Sequence, residues 1–322
     1  NAKQHFVANT TSARAMYTFK LPKQWNLSLD LAYVHSLTRQ TGVDDINENM
    51  WNGRLSLSGS IAQKHSLSFT GAYQPVSPGP SMYTSVVTQN SSYTGTIGNP
   101  DLKWQKYYMF NLNYFWFASN RLTMAFSARY SGTIDATVNG FLPYNDVMYR
   151  IPVTSGNNDE IYMFLTGDYN ISSALSLSLS VTARRFHQTG IFKQNRWLVQ
   201  PTAGINYTPN SHIMMSAKFG APDGRASFPS GSYEKRPQCS LWLSASYTTN
   251  NWGVRLDAMP LNRYFKTETE TNHPYADIIL KSYDPSFGRY VALSFNYSFE
   301  YGKKVDRSQS INISGNSSST IR

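Results

Sequence analysis

The residues of this chain best suited to proton transfer are His35, His65, His187, His212 and His273. None has a nucleophile motif such as Gly-x-Ser-x-Gly beside it. His65 and His212 fall at short turns, where an interfacial polar side chain is the ordinary explanation, and His35 and His187 lie near long connections. The acidic run Asp44, Asp45, Asn47 and Glu48 offers oxygen ligands of the kind a divalent cation takes. It lacks the glycine and the closing glutamate of a calcium loop, so a solvated loop is the simpler reading, and the same holds for Glu268 and Glu270. Cys239, the single cysteine, has no partner for a disulfide or a structural zinc site. These residues predict no catalytic centre, no metal site and no cofactor.

A second group of charges stands out by its surroundings. Arg54, Arg129, Asp168, Lys218, Arg255 and Asp257 each interrupt an otherwise apolar alternation, always in the small or polar register. Lining a lumen, they could form selectivity rings or contact an inner domain. Pairing with one another across a wall is the equal alternative. Tyr83, Tyr93, Phe141 and Tyr144, in the long connections, are candidate ligand contacts.

The elements that would position these residues are strands. Trp25, Leu27, Leu29, Leu31 and Tyr33 alternate with Asn26, Ser28, Asp30 and Ala32; Leu175, Leu177, Leu179 and Val181 alternate with Ser176, Ser178, Ser180 and Thr182. The closing run Val291, Leu293, Phe295, Tyr297 and Phe299 repeats the scheme. Such period-two patterning marks strands with one apolar face. Charged residues make up 15% of the chain, against roughly 25% in a typical soluble domain. No run approaches the roughly 20 apolar residues of a membrane-spanning helix. A barrel escapes that test because alternate side chains face its polar interior. An Arg or Lys facing lipid at the midplane costs about 2 to 4 kcal/mol, so mid-strand charges belong in the polar register. Arg14 and Asp30 also obey this rule, whereas Lys106, His35 and Arg185 break it near predicted strand ends, where water and headgroups reach.

Connections alternate in length. Short turns fall at Leu21 to Lys23, Gln63 to His65, Ala118 to Asn120, Ile171 to Ala174, Thr208 to Asn210 and Thr248 to Asn251. Long connections run from Arg39 to Asn49, Val76 to Leu102, Asp135 to Asn158, His187 to Gln194, Ala221 to Arg236 and Thr267 to Gly288. Short periplasmic turns and long external loops are the arrangement of an outer-membrane barrel. Tyr17, Phe19, Trp25, Trp116, Tyr169, Tyr207, Tyr247, Trp252, Phe299 and Tyr301 gather beside the short turns, and Tyr33, Tyr73, Tyr108, Tyr130, Trp197 and Phe219 gather toward the other ends. Aromatic girdles at both interfaces suit a membrane barrel and have no place in a soluble sandwich. The net charge of +10 is spread thinly along strands and loops, which argues against nucleic-acid binding.

The prediction is therefore an all-β, antiparallel transmembrane β-barrel portion of about 13 strands, located in the bacterial outer membrane with lipid as its surroundings. It occupies residues 1–302, and 303–322, rich in Ser, Asn and Lys, form a disordered periplasmic tail. An odd strand count and a first residue other than Met lead us to expect further strands upstream.

The segment Gly98, Asn99, Pro100, Asp101, Leu102 and Lys103, leading into the aromatic strand that starts at Trp104, resembles the Gly-Asn-Pro-x-Leu-Lys signature of TonB-dependent receptors and of related outer-membrane β-barrel proteins of Bacteroidota. Asp284, Phe287, Gly288 and Arg289, and after the closing strand Gly302, Lys303 and Lys304, are similar to the C-terminal region of that family. Where family members continue the first motif with Pro and an acidic residue, this chain has Trp104 and Gln105. The resemblance implies a complete protein with a 22-stranded barrel, an N-terminal plug as partner, and an inner-membrane TonB energy-coupling complex acting through that plug. It implies a transporter for nutrient uptake, not an enzyme. An ungated diffusion channel is one alternative, and an adhesive or secretion-linked barrel with ligand-binding external loops is another. Locally, Gly98 to Lys103 is also a plain loop terminator.

Overall fold

The alternation read from the sequence becomes one continuous antiparallel sheet in the computed structural model, which describes residues 6–299 except 41–42, 63, 85–86, 145, 263–264, 274–275 and 285–287. Tyr301, Gly302 and the expected tail 303–322 lie outside the described residues. In chain order the elements are β1 (Phe6–Leu21), β2 (Trp25–Gln40), β3 (Val43–Ile61), β4 (His65–Val76), a helical turn α1 (Pro80–Tyr83), β5 (Thr88–Gln89), β6 (Thr94–Thr96), β7 (Gln105–Phe117), β8 (Leu122–Ile134), β9 (Thr137–Tyr144), β10 (Val147–Thr154) and β11 (Asn158–Asn170). They continue with β12 (Leu175–Gln188), β13 (Gln194–Tyr207), β14 (Ile213–Gly220), β15 (Asp223–Ser227), β16 (Ser232–Arg236), β17 (Ser240–Thr248), β18 (Trp252–Met259), β19 (Phe265–His273), β20 (Ala276–Asp284) and β21 (Tyr290–Tyr297).

Thirteen of these form the wall, in the order β1-β2-β3-β4-β7-β8-β11-β12-β13-β14-β17-β18-β21, so each wall strand lies beside the next wall strand of the sequence. β1 and β21 are the two edges of that sheet. Every short turn lies within a residue or two of its predicted place. An example is the β11–β12 turn, where the Ser172 hydroxyl accepts from the Ala174 and Leu175 N–H groups at 3.2 and 3.1 Å.

One face of this sheet is apolar and uncovered. Leu179 is 53% exposed, Val199 60% and Leu293 73%, although soluble proteins rarely expose contiguous apolar patches beyond a few hundred Å². Lipid is the surrounding that makes such a face stable, because every wall strand other than the two edges hydrogen-bonds on both sides and leaves little backbone polarity in the hydrocarbon. The three charges out of register fit this frame. His35 lies ten residues along β2 from Trp25, and Arg185 ten along β12 from Leu175. At about 3.4 Å per residue and a tilt of about 40°, ten residues climb about 26 Å, the height of the apolar band. Both therefore stand at the outer interface, and Lys106, at the outer end of β7, is held by Asp135 at 2.9 Å.

The external connections depart from expectation. Arg39 to Asn49 is largely strand: β2 runs on to Gln40 and β3 begins at Val43, with a register irregularity between Thr38 and Gln40. The backbone ladder continues because it satisfies its own donors and acceptors whatever side chains it carries. Other long connections hold two further four-stranded sheets, β5-β6-β10-β9 and β15-β16-β19-β20. Their Gly, Pro, Ser and Asn content reads as loop, yet the alternating Thr and Glu of β19 (Phe265–His273) is a strand pattern.

Candidate functional site

In an antiparallel sheet, directly paired residues share a face. One row of paired positions runs Asp30, Arg54, Ala72, Met109, Ser131, Glu160, Phe186, Arg196 from β2 to β13. It lies opposite the uncovered apolar side chains, on the polar face of the sheet. All six charges singled out in the sequence occupy this polar face. Arg54 pairs in register with Asp30. Arg129 pairs with Asn111 and Tyr162, and Asp168 with Thr123 and Ser178. Lys218 faces Gly204 and Trp242, Arg255 faces Ser246 and Ser294, and Asp257 faces Ser244 and Ala292. The fold brings Arg255 and Asp257 together at 2.7 Å; it leaves Asp168 and Lys218 apart from the others.

Around this row lie contacts among charges, some of them missed by sequence reasoning. Arg129 reaches Glu160 at 3.3 Å. Its guanidinium carbon stands 5.3 Å from the Tyr162 ring centroid, and that of Arg184 stands 5.2 Å from the same centroid. Arg196 lies over Tyr233 at 5.0 Å. Toward β1, Arg14 pairs with Asp30, and a hollow of about 490 Å³ is lined by Arg14, Asp30, Asn52, Arg54, Gln74 and Tyr107 among others. The missed residues had a usable signal: Glu160, Tyr162, Arg184 and Arg196 share the polar register with Thr166, Thr182 and Gln200 of their own strands.

An external sheet rests on this row. Glu270 of β19 meets Arg196 of β13 at 2.6 Å, and Phe186 of β12 packs edge-on to Phe228 and Tyr233. The buried Gln194 amide donates to Gln188, which in turn donates to the Phe228 carbonyl, both at 2.7 Å. Gly231 follows the turn with φ +61°, and a side chain there would strike the buried Phe192 ring. Within the sheet, Lys235 bridges Glu270 at 2.7 Å and Glu268 at 3.0 Å. Hydrogen bonds from Lys266 and Lys235 hold the Glu268 carboxyl at about 2, well below its ordinary range. Lys235 likewise lowers Glu270, and burial raises the Tyr233 phenol. Glu268 and Glu270 are thus ion-paired strand residues and not the solvated loop carboxylates expected.

The four loop aromatics divide. Tyr93 and Tyr144 are 73% and 64% exposed; Tyr144 and Phe141 lie in β9, and Tyr93, just before β6, accepts a backbone hydrogen bond from Met148 of β10. Tyr83 is 2% exposed and packed at the end of α1, which corrects its reading as a presented ligand contact: a helical turn folds its ring inward. The Gly-Asn-Pro segment clips that turn in place. Gly98 N–H donates to Thr84 O at 2.8 Å and Asn99 N–H to Met82 O at 2.6 Å, while the Asn99 amide reaches Pro152 O at 3.1 Å. A methyl at Gly98 would collide with the Thr84 and Met82 backbone.

Histidines make ordinary contacts: His35 with Asn49, His65 with Tyr114, His187 with Asp159 and the His212 ring with the Thr248 carbonyl. The His273 side chain, like that of Asp44, lies outside what is described, and Asp45 pairs with Arg39 at 3.0 Å. Among the described residues no cluster of three or more His, Cys, Asp or Glu is placed to hold a metal.

An antiparallel meander with a lipid-matched apolar face, a charged opposite face and a further sheet docked on that charged face is the wall of an outer-membrane β-barrel. The chain belongs to the outer membrane protein beta-barrel family, whose model matches residues 54–297. Comparison with curated proteins gives no match. Among solved structures, the copper transporter OprC aligns with a TM-score of 0.62 and 11% identity, over 91% of this chain and 48% of that one. The FrpB iron transporter from Neisseria meningitidis gives 0.61 and 14%, over 92% and 46%. The ferric-catecholate import receptor Fiu from K12 E. coli gives 0.58 and 11%, over 92% and 45%. These similar structures are transporters and an import receptor, and the chain spans about half their length. The protein is located in the bacterial outer membrane.

Proposed function

We propose that this chain is the barrel wall of a TonB-dependent, receptor-like transporter that takes a nutrient across the outer membrane. The observation that carries the reading is the external sheet docked by Arg196–Glu270 onto a charged polar face. A mouth partly covered by its own loops, above fixed charges, suits capture and gated passage better than free diffusion. The transporters of similar fold carry copper, iron and ferric catecholates, and these set the first solutes to try. A plug and an inner-membrane coupling complex complete the reading.

The test is uptake by cells producing the complete protein and by cells lacking it, with radiolabelled copper, iron salts and a ferric catecholate. Uptake that depends on the protein and collapses when the proton gradient is dissipated supports the proposal. Protein-dependent uptake that survives dissipation makes the barrel a diffusion channel. No protein-dependent uptake of any of these solutes, with labelled ligand held at the surface, favours the adhesive alternative.

A further inference from the structure

Several polar-face cations are answered by a carboxylate. Arg14 is paired with Asp30, Arg255 with Asp257, and Arg196 with Glu270. Around Tyr162 two cations share one carboxylate. Arg129 from β8 and Arg184 from β12 close on one ring from the two strands that flank β11, their guanidinium carbons 5.3 and 5.2 Å from its centroid. Among the described residues their one carboxylate is Glu160, at a loose 3.3 Å from Arg129, and Arg184 has no ion pair. The Nε atoms of both are buried without a hydrogen-bond partner. The Arg129 side chain is nevertheless 40% exposed, so its outer nitrogens are the part that reaches the lumen. Positions paired with the two arginines outside this cluster are neutral, Asn111 and Leu198.

Leaving two guanidiniums half-desolvated around one weak partner is unfavourable unless something answers them. A guanidinium presents parallel N–H groups that match the two oxygens of a carboxylate or phosphate. We infer that Arg129, Tyr162 and Arg184 form a lumenal binding site for a solute bearing two or more oxyanion groups, one on each guanidinium, with its carbon or ester framework across the Tyr162 ring. The inference deepens the transporter reading, on which its lumenal placement rests, and names the class of solute that wall would pass.

The experiment is calorimetric titration of the complete protein, purified in detergent at low ionic strength, with pyrophosphate and with tricarballylate. Folding of each variant is checked by the heat-modifiable gel mobility of the intact barrel. Binding of either probe should weaken at least tenfold in Arg129→Gln and in Arg184→Gln. It should weaken less in Arg184→Lys, which keeps the charge but not the fork, and stay unchanged in the external Arg225→Gln. Pyrophosphate alone or tricarballylate alone binding in this pattern supports the site and names its oxyanion. Failure of both probes to bind, or binding undiminished in folded Arg184→Gln, overturns it. Because binding to purified protein needs no energy coupling, retained binding with absent uptake sinks the transport reading and leaves the site standing.

Discussion

Arg196 on β13 and Glu270 on β19 meet at 2.6 Å, and this contact joins an external sheet to the inner face of the wall. Its two side chains are 34% and 19% exposed, partly desolvated, so the pair holds more strongly than a surface bridge. Arg196→Ala should loosen β15, β16, β19 and β20 by about 1 to 2 kcal/mol while leaving the barrel intact. Hydrogen exchange resolved by peptide should show faster exchange across residues 223–236 and 265–284, with unchanged exchange in β11 and β12. Uniform acceleration in wall and loops would show that the pair supports the wall itself.

The same sheet should respond to acid. The Glu268 carboxyl is held at about 2 by hydrogen bonds from Lys266 and then Lys235, against an ordinary value of 4.5. A carboxyl lowered by folding contributes stability that is full above its unfolded value and lost as pH falls through the folded one. Protection of residues 265–273, corrected for intrinsic rates, should therefore decline between pH 4.5 and about 2. Glu268→Gln should flatten that decline. An identical pH profile in the variant would remove Glu268 from the account.

Lipid contact is tested on β12. Leu179→Arg places a charge near the middle of the apolar face and should cost about 2 to 4 kcal/mol in bilayer-supported unfolding, with less folded barrel recovered from membranes. Ser180→Arg, one residue on and on the polar face, loses its contact with Thr202 but should cost clearly less. Equal losses would place both residues in the same surroundings and contradict the assigned faces.

Gly98→Ala tests the clip between α1 and the β9–β10 hairpin. Added bulk against the Thr84 and Met82 backbone should destabilise that external region by about 1 to 3 kcal/mol. Limited proteolysis should then cut residues 80–98 faster, with the membrane-spanning part unaffected.

Much of this architecture was readable because a membrane wall is written in period two. Leu175 to Thr182 states both faces of β12 outright, and Ile171 to Ala174 states its turn. Arg54 and Arg129 could be assigned to the polar face for the same reason. Two things were out of reach. The external sheets hide because Thr267 to Gly288 is composed like a loop, and its β19 pairs with β16 far upstream. The convergence of Arg129 and Arg184 on Tyr162 depends on which strands are neighbours, a property of topology and not of any local window. Arg184 was also overshadowed by Arg185, whose place in the apolar register drew attention to the wrong one of two adjacent arginines.

Strict alternation of the two faces also acts as proofreading during assembly. If β12 paired with β11 one residue out of step, Arg184, Thr182 and Ser180 would turn into hydrocarbon, and Leu179 and Val181 would turn into water. Every misaligned position adds to the penalty, so a slipped hairpin is disfavoured along its whole length at once. The parity of the side chains, more than any single contact, lets the wall reject its own near misses.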